Sequence, residues 1–139
     1  MKNAFLTVFA SIYSSILIAQ VLEVSPAFPT INDVVTITYD ATQGNGALIG
    51  QSQIYAHAGL ITSASTSPSN WQYVQGNWGT VDPQVAMTNI GNNKHTITID
   101  IDQFYGYPIA TTSVLKLAFV FRTANGSIVG RAADGGDIF

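Results

Sequence analysis

The chain has 139 residues, 9% of them charged, a formal net charge of −3 and no cysteine. These values exclude a disulfide framework, thiolate metal sites and thiol catalysis, and they argue against nucleic acid, whose phosphates require a basic footprint. The length suits one domain, large enough to be held by its core alone.

The opening segment "MKNAFLTVFASIYSSILIAQ" carries Lys2 and then an apolar run from Ala4 to Ile18. That layout predicts a secretory signal peptide over residues 1–19, cut after Ala19. An uncleaved anchor, the rival reading, needs about 20 apolar residues, and Ser11, Ser14 and Ser15 interrupt this run. The expectation is an exported chain, extracellular, at the cell surface or periplasmic, without a stable membrane span. Its domain covers residues 20–139. There, Lys94, Lys116, Arg122 and Arg131 stand against Glu23 and seven aspartates, amid many Thr, Ser, Asn, Gln and Gly. A polar but weakly charged surface of this kind suits a neutral, hydroxyl-rich ligand.

From Val34 onward the pattern has period two. In "VVTITYD", Val35, Ile37 and Tyr39 alternate with Thr36, Thr38 and Asp40. Weaker strand candidates are Ile54–Ile61 and Val85–Ile90. "KHTITIDID" alternates Ile97, Ile99 and Ile101 with Thr96, Thr98 and Asp100. "VLKLAFVFR" sets Leu115, Leu117, Phe119 and Phe121 on one face, with Lys116 and Arg122 on the other. Such alternation of β-branched and aromatic residues marks half-buried strands. Turn residues separate them: Gly91–Asn93, and Asn125-Gly126 in "TANGS", a strong hairpin signal. Outside the leader no segment carries a sustained helical stripe. The pattern predicts an all-β, immunoglobulin-like antiparallel β-sandwich of about seven strands. The terminal "GRAADGGDIF" ends on an apolar pair where a further strand would begin, which suggests the front piece of a longer polypeptide.

Catalytic signatures are weak. Asp100 and Asp102 lie two apart on a predicted strand, on one side of a sheet rather than facing each other across a bond. His95, at a strand start, is expected at a sheet edge. Asp134 and Asp137 in "DGGD" make a poor calcium pattern and read better as a turn. Asn125-Gly126-Ser127 formally matches a glycosylation acceptor, but the hairpin accounts for that Asn. No metal or cofactor is expected, and these residues are not expected to form an enzyme, whereas for a full-length polypeptide catalysis stays open. Binding has better support. "IYAHAGLIT" alternates Ile54, Ala56, Ala58 and Leu60 with Tyr55, His57 and Gly59, and Trp71, Tyr73 and Trp78 follow in a polar stretch. Flat rings suit the C–H-rich faces of sugars, while an indole N–H or an imidazole can hydrogen-bond hydroxyls. The competing reading buries one or both indoles between the sheets.

The order of "VTITYD", "IYAHAG", "NWQYV", "PQVAM", "HTITIDI", "LKLAFVFR" and "NGSIVGRAADGGDIF" resembles starch-binding β-sandwich modules. The closest likeness is to carbohydrate-binding module families 25 and 26 of secreted bacterial α-amylases, and it spans Val34 to Phe139. It implies a non-catalytic module that binds an α-glucan polysaccharide or oligosaccharide beside a linked or neighbouring catalytic domain. Under the resemblance His57 matches the binding histidine and Trp71 the first stacking ring. The family's second stacking Trp falls after the late strand, where this sequence has no aromatic between Phe121 and Phe139. Trp78 or Tyr73 is the candidate substitute, with Tyr55 assisting. The alternative is a structural immunoglobulin-like domain that packs on a catalytic neighbour and has no ligand of its own.

Overall fold

A computed structural model of the protein describes residues 20–106 and 113–139. The expected signal peptide over 1–19 lies outside the described residues. Two four-stranded antiparallel sheets pack face to face as an all-β sandwich. One holds β1 (Leu22–Ser25), β2 (Val34–Asp40), β5 (Thr88–Gly91) and β6 (Lys94–Asp100), in the order β1-β2-β6-β5. The other holds β3 (Tyr55–Thr62), β4 (Gln72–Gln75), β7 (Val114–Arg122) and β8 (Val129–Gly130), in the order β4-β3-β7-β8. A 3-10 turn at Pro83–Val85 and a short helix α1 (Ile101–Tyr105) complete the described elements. Among the described residues no helix is long and apolar enough to cross a membrane.

Period-two patterning sets the registers. Val35, Ile37 and Tyr39 of β2 stand opposite Ile99, Ile97 and His95 of β6, and all six are buried. A one-residue slip would turn the whole apolar set into water, so burial fixes the pairing. From the second sheet Ala56, Ala58, Leu60, Phe119 and Phe121 meet them. Tyr39 and Phe121 stack across the sandwich at 4.1 Å and 20°. Burial pushes the Tyr39 hydroxyl up to about 12. Gly130 passes directly over that ring: a Cβ there would overlap the Tyr39 hydroxyl and come within 2.8 Å of Leu48 Cδ1. Gly130→Ala is therefore expected to destabilise by about 1–3 kcal/mol, the usual cost of overpacking, readable as a lower urea midpoint.

The Gly91–Asn93 turn forms as anticipated. Asn92 and Asn93 both take the left-handed conformation, with φ of 53° and 58°, and Gly91 pairs with Lys94 across it. At Thr123–Ser127 the turn is wider than a two-residue hairpin, since Arg122 pairs with Val129. Only Gly126 of the Asn125-Gly126 pair has positive φ, 69°.

Three expectations are corrected. The strand predicted through Asp102 stops at Asp100, whose carboxylate accepts from the Gln103 N–H at 3.1 Å and caps α1. Asp102 lies in that helix, so the two carboxylates share no strand face. His95 is not at an edge: β6 is an interior strand and His95 is fully buried. Leu115, expected on the core face of β7, is 63% exposed, while Arg122 lies on the opposite face as expected and is fully buried there. A register shift between Ile61 and Thr62 inserts an extra residue in β7 and breaks its alternation there.

Candidate functional site

The outer face of the β4-β3-β7-β8 sheet carries Tyr55, His57 and Gly59 from β3, the residues that alternate with core-facing Ala56, Ala58 and Leu60. Gly59 leaves a slot in this face. Trp71, arriving from the loop ahead of β4, lies across it, so closely that a Cβ on Gly59 would sit 2.9 Å from the ring. Its indole N–H donates to the Pro68 carbonyl at 3.2 Å, and Asn70 braces the same loop by accepting from the Thr66 N–H. Trp71 is half-buried, with one face against the sheet.

Trp78 comes from the opposite direction. Gly76, at φ 96°, turns the chain tightly against β3. Beyond it, buried Asp82 accepts from the Asn77 N–H at 2.8 Å, the Asn77 side-chain amide at 3.2 Å and the Gln84 N–H at 3.1 Å. The Asn77 N–H foremost holds this carboxyl below the usual carboxylate range. Beneath the loop, the Arg122 guanidinium donates to the carbonyls of Asn77, Thr80, Thr123 and Ala124. One cation thus ties the Trp78 loop to the β7–β8 turn. It lies 5.4 Å from the Tyr55 ring centre and 5.6 Å from that of Trp78, within reach of a cation–π attraction to each. Trp78 also rests against Gly126, where a Cβ would meet its indole nitrogen at 2.6 Å, yet it remains 47% exposed.

His57 sits between the two indoles. Its ring centre is 6.0 Å from Trp71 with a 31° tilt, and 5.2 Å from Trp78 with an 86° tilt. Since the tilts differ by 55°, the planes of the indoles stand at least that far from parallel. His57 Nδ1 lies 2.9 Å from the Gly76 carbonyl. A carbonyl only accepts, so Nδ1 carries a proton. Burial lowers the pKa of the imidazole, the Gly76 carbonyl opposes this, and the Arg122 charge lowers it further. The ring is therefore neutral at pH 7, and Nε2 is left as an acceptor.

The structure thus brings together His57, Trp71 and Trp78. It does not bring Tyr55 into the open: that residue is 7% exposed, beneath Arg122. Tyr73 packs against the hydrophobic core instead. It has a left-handed φ of 52°, and the β3–β4 pairing shifts register beside it, so the alternation expected from Trp71 fails. Arg122, Asp82 and the two glycines under the rings lay outside the predicted set. Gly59, inside a strand pattern, was the readable sign of a close approach. In the "DGGD" segment, Asp137 is paired with Arg131 at 2.8 Å and Asp134 accepts from the Gly136 N–H. Among the described residues no cluster of three or more metal-ligating side chains occurs.

These features define a class: an all-β sandwich with an aromatic–histidine face on one sheet, built on small residues and braced from below by a buried arginine. Residues 22–129 match the model of a family described as a domain of unknown function (DUF8578), and the chain belongs to that family. No curated protein matches it.

Proposed function

We propose that the domain is a non-catalytic, exported α-glucan-binding module that serves a glycoside hydrolase of the α-amylase type, linked to it or beside it. The observation that carries this reading is the angled pair of indoles around a neutral histidine. Each ring has one face covered by protein, and its position is fixed before any ligand arrives, which lowers the ordering cost of binding. Rings at least 55° apart suit a curved chain such as an α-1,4-glucan, whereas a flat β-glucan ribbon would favour coplanar rings. Trp78 then supplies the second ring that the resemblance to starch-binding modules lacks. His57 Nε2 accepts from a sugar hydroxyl, and with Arg122 buried the face offers no charge to a neutral ligand. Such a module raises the local concentration of a tethered enzyme on its substrate.

Retention on insoluble starch and calorimetric titration with maltoheptaose test this directly. Trp71→Ala is expected to weaken binding by about tenfold or more, measured on variant protein that circular dichroism shows to be folded. Equal retention of the variant would remove Trp71 from the site, and no retention of the parent would remove the α-glucan reading. One observation favours the structural alternative. Trp78 caps Arg122 and packs on the Gly126 turn, as an indole that merely holds down a loop would.

A further inference from the structure

The chain holds two Asn-Gly pairs, Asn45-Gly46 and Asn125-Gly126. A glycine after asparagine lets its backbone nitrogen approach the side-chain amide carbon, since no Cβ stands in the way. Both asparagines are exposed and lie in turns. In both turns the glycine N–H donates to the carbonyl three residues back, Gly46 to Gln43 at 3.2 Å and Gly126 to Thr123 at 3.0 Å. The two carboxamides are held differently. Asn45 is fastened at both ends to a distant segment: Nδ2 donates to the Val129 carbonyl at 2.9 Å, and Oδ1 accepts from the Arg131 N–H at 3.2 Å, besides the Ala47 N–H. Asn125 Nδ2 has no hydrogen-bond partner among the described residues. Its Oδ1 accepts from inside the turn alone: the Thr123 hydroxyl at 2.9 Å, the Ser127 hydroxyl at 2.8 Å and the Ser127 N–H at 3.1 Å. That N–H can only donate, which fixes the amide oxygen on this side. The Thr123 hydroxyl in turn accepts from the Ile128 N–H at 3.3 Å, so its own proton is left for Asn125.

We propose that Asn125 is a self-modification site, where the folded domain converts asparagine to isoaspartate and aspartate without an enzyme, while Asn45 is spared. The Gly126 nitrogen gives its proton to hydroxide and bonds to Asn125 Cγ. The carbonyl electron pair moves onto Oδ1, where three donors already point, the arrangement that stabilises a developing oxyanion. As the pair returns, the Cγ–Nδ2 bond breaks and ammonia leaves, taking its proton from water. Water then opens the cyclic imide at either carbonyl, giving isoaspartate or aspartate. Arg122 assists this attack. Its guanidinium donates to the Thr123 and Ala124 carbonyls, so it shares the acceptor that holds the Gly126 N–H, and its charge favours the anion formed beside it. At Asn45 the same attack has to break the bonds to Val129 and Arg131. The consequence falls on Trp78, whose indole rests against Gly126. Isoaspartate lengthens the backbone between residues 125 and 126 by one carbon, so the support of that ring shifts as the protein ages. This chemistry does not depend on the glucan reading.

The test ages the full chain at mildly alkaline pH, where hydroxide drives the first step, and follows both asparagines by mass spectrometry. Trypsin releases residues 123–131, in which Asn125 is the sole asparagine, and fragment spectra locate any change at Asn45. Asn125 is expected to gain the mass of an amide turned acid about tenfold faster than Asn45, and an isoaspartate methyltransferase labels the aged peptide. Ser127→Ala removes one donor from Oδ1 and keeps the Ser127 position's N–H. It slows conversion at Asn125 severalfold and leaves Asn45 unchanged. In urea, where both side chains lose their partners, the two rates converge. The proposal is overturned by equal rates in the folded chain, by faster loss at Asn45, or by a difference that persists in urea. Conversion unchanged or quickened by Ser127→Ala overturns it too, since the hydroxyls would then be idle or a restraint.

Discussion

Replacing Arg122 by methionine is expected to be the most damaging single change on the outer face, lowering stability by about 3 kcal/mol. Methionine restores the apolar stem but donates to none of the four carbonyls: Asn77 keeps the Thr80 hydroxyl and Thr123 the Gly126 N–H, while those of Thr80 and Ala124 lose the guanidinium with no other donor among the described residues. Those of Asn77 and Thr80 belong to the Trp78 loop, and those of Thr123 and Ala124 to the β7–β8 turn, so two segments lose their common anchor. Arg122→Lys should recover less than half of the loss, because a single ammonium cannot span acceptors that a planar fork reaches together. Urea unfolding followed by circular dichroism gives the magnitude. Backbone NMR gives the location: shifts should concentrate at 77–82 and 123–126 and leave β2 and β6 unmoved. Shifts spread through both sheets would show that Arg122 supports the core rather than the loop.

The second large effect concerns His95, and its sign is opposite. The imidazole is fully buried with no hydrogen-bond partner on either ring nitrogen. Burial lowers its pKa below the ordinary 6.5, while backbone groups of Ser52, Gln51 and Asn93 pull it back without closing a hydrogen bond. The unfolded chain therefore takes up the proton first. This contribution to stability is complete above about pH 6.5 and is lost as pH falls through the lowered folded value. His95→Leu removes unsatisfied buried polar atoms at similar volume and is expected to stabilise by about 1–2 kcal/mol at neutral pH. The gain should grow at pH 5. His57, shifted in the same direction, keeps some acid sensitivity in the variant. Denaturant titrations at both pH values decide the matter. A variant less stable than the parent at pH 5 would mean that His95 is held by bonds absent from this structure.

These two residues also mark where the sequence is readable. The alternation in β2, β6 and most of β7 survives into the structure because each strand buries one full face. His57, Trp71 and Trp78 were legible as a group, since aromatic rings and an imidazole stand out in a polar, weakly charged stretch. Arg122 was not, because a charge at an alternating position reads as solvated. Its partners are loop carbonyls, and a side-chain pattern does not encode those. His95 read as an edge residue because nothing in the local sequence says that β5 will cover β6. The strands β1, β4 and β8, of four, four and two residues, are too short for a period to register. Tyr73 was misplaced by a single left-handed φ, which reverses the side a residue faces without altering its chemistry.

Both tryptophans of this chain pack against the same imidazole. Near-ultraviolet emission excited at the red edge, where tyrosine does not absorb, thus comes from one place on the molecule. Protonated imidazole quenches indole far better than neutral imidazole, so, over the pH range in which the fold holds, a titration of that emission follows the ionisation of His57. The protein carries an unlabelled optical gauge of its own outer face, and an occupant of that face registers there whatever its identity.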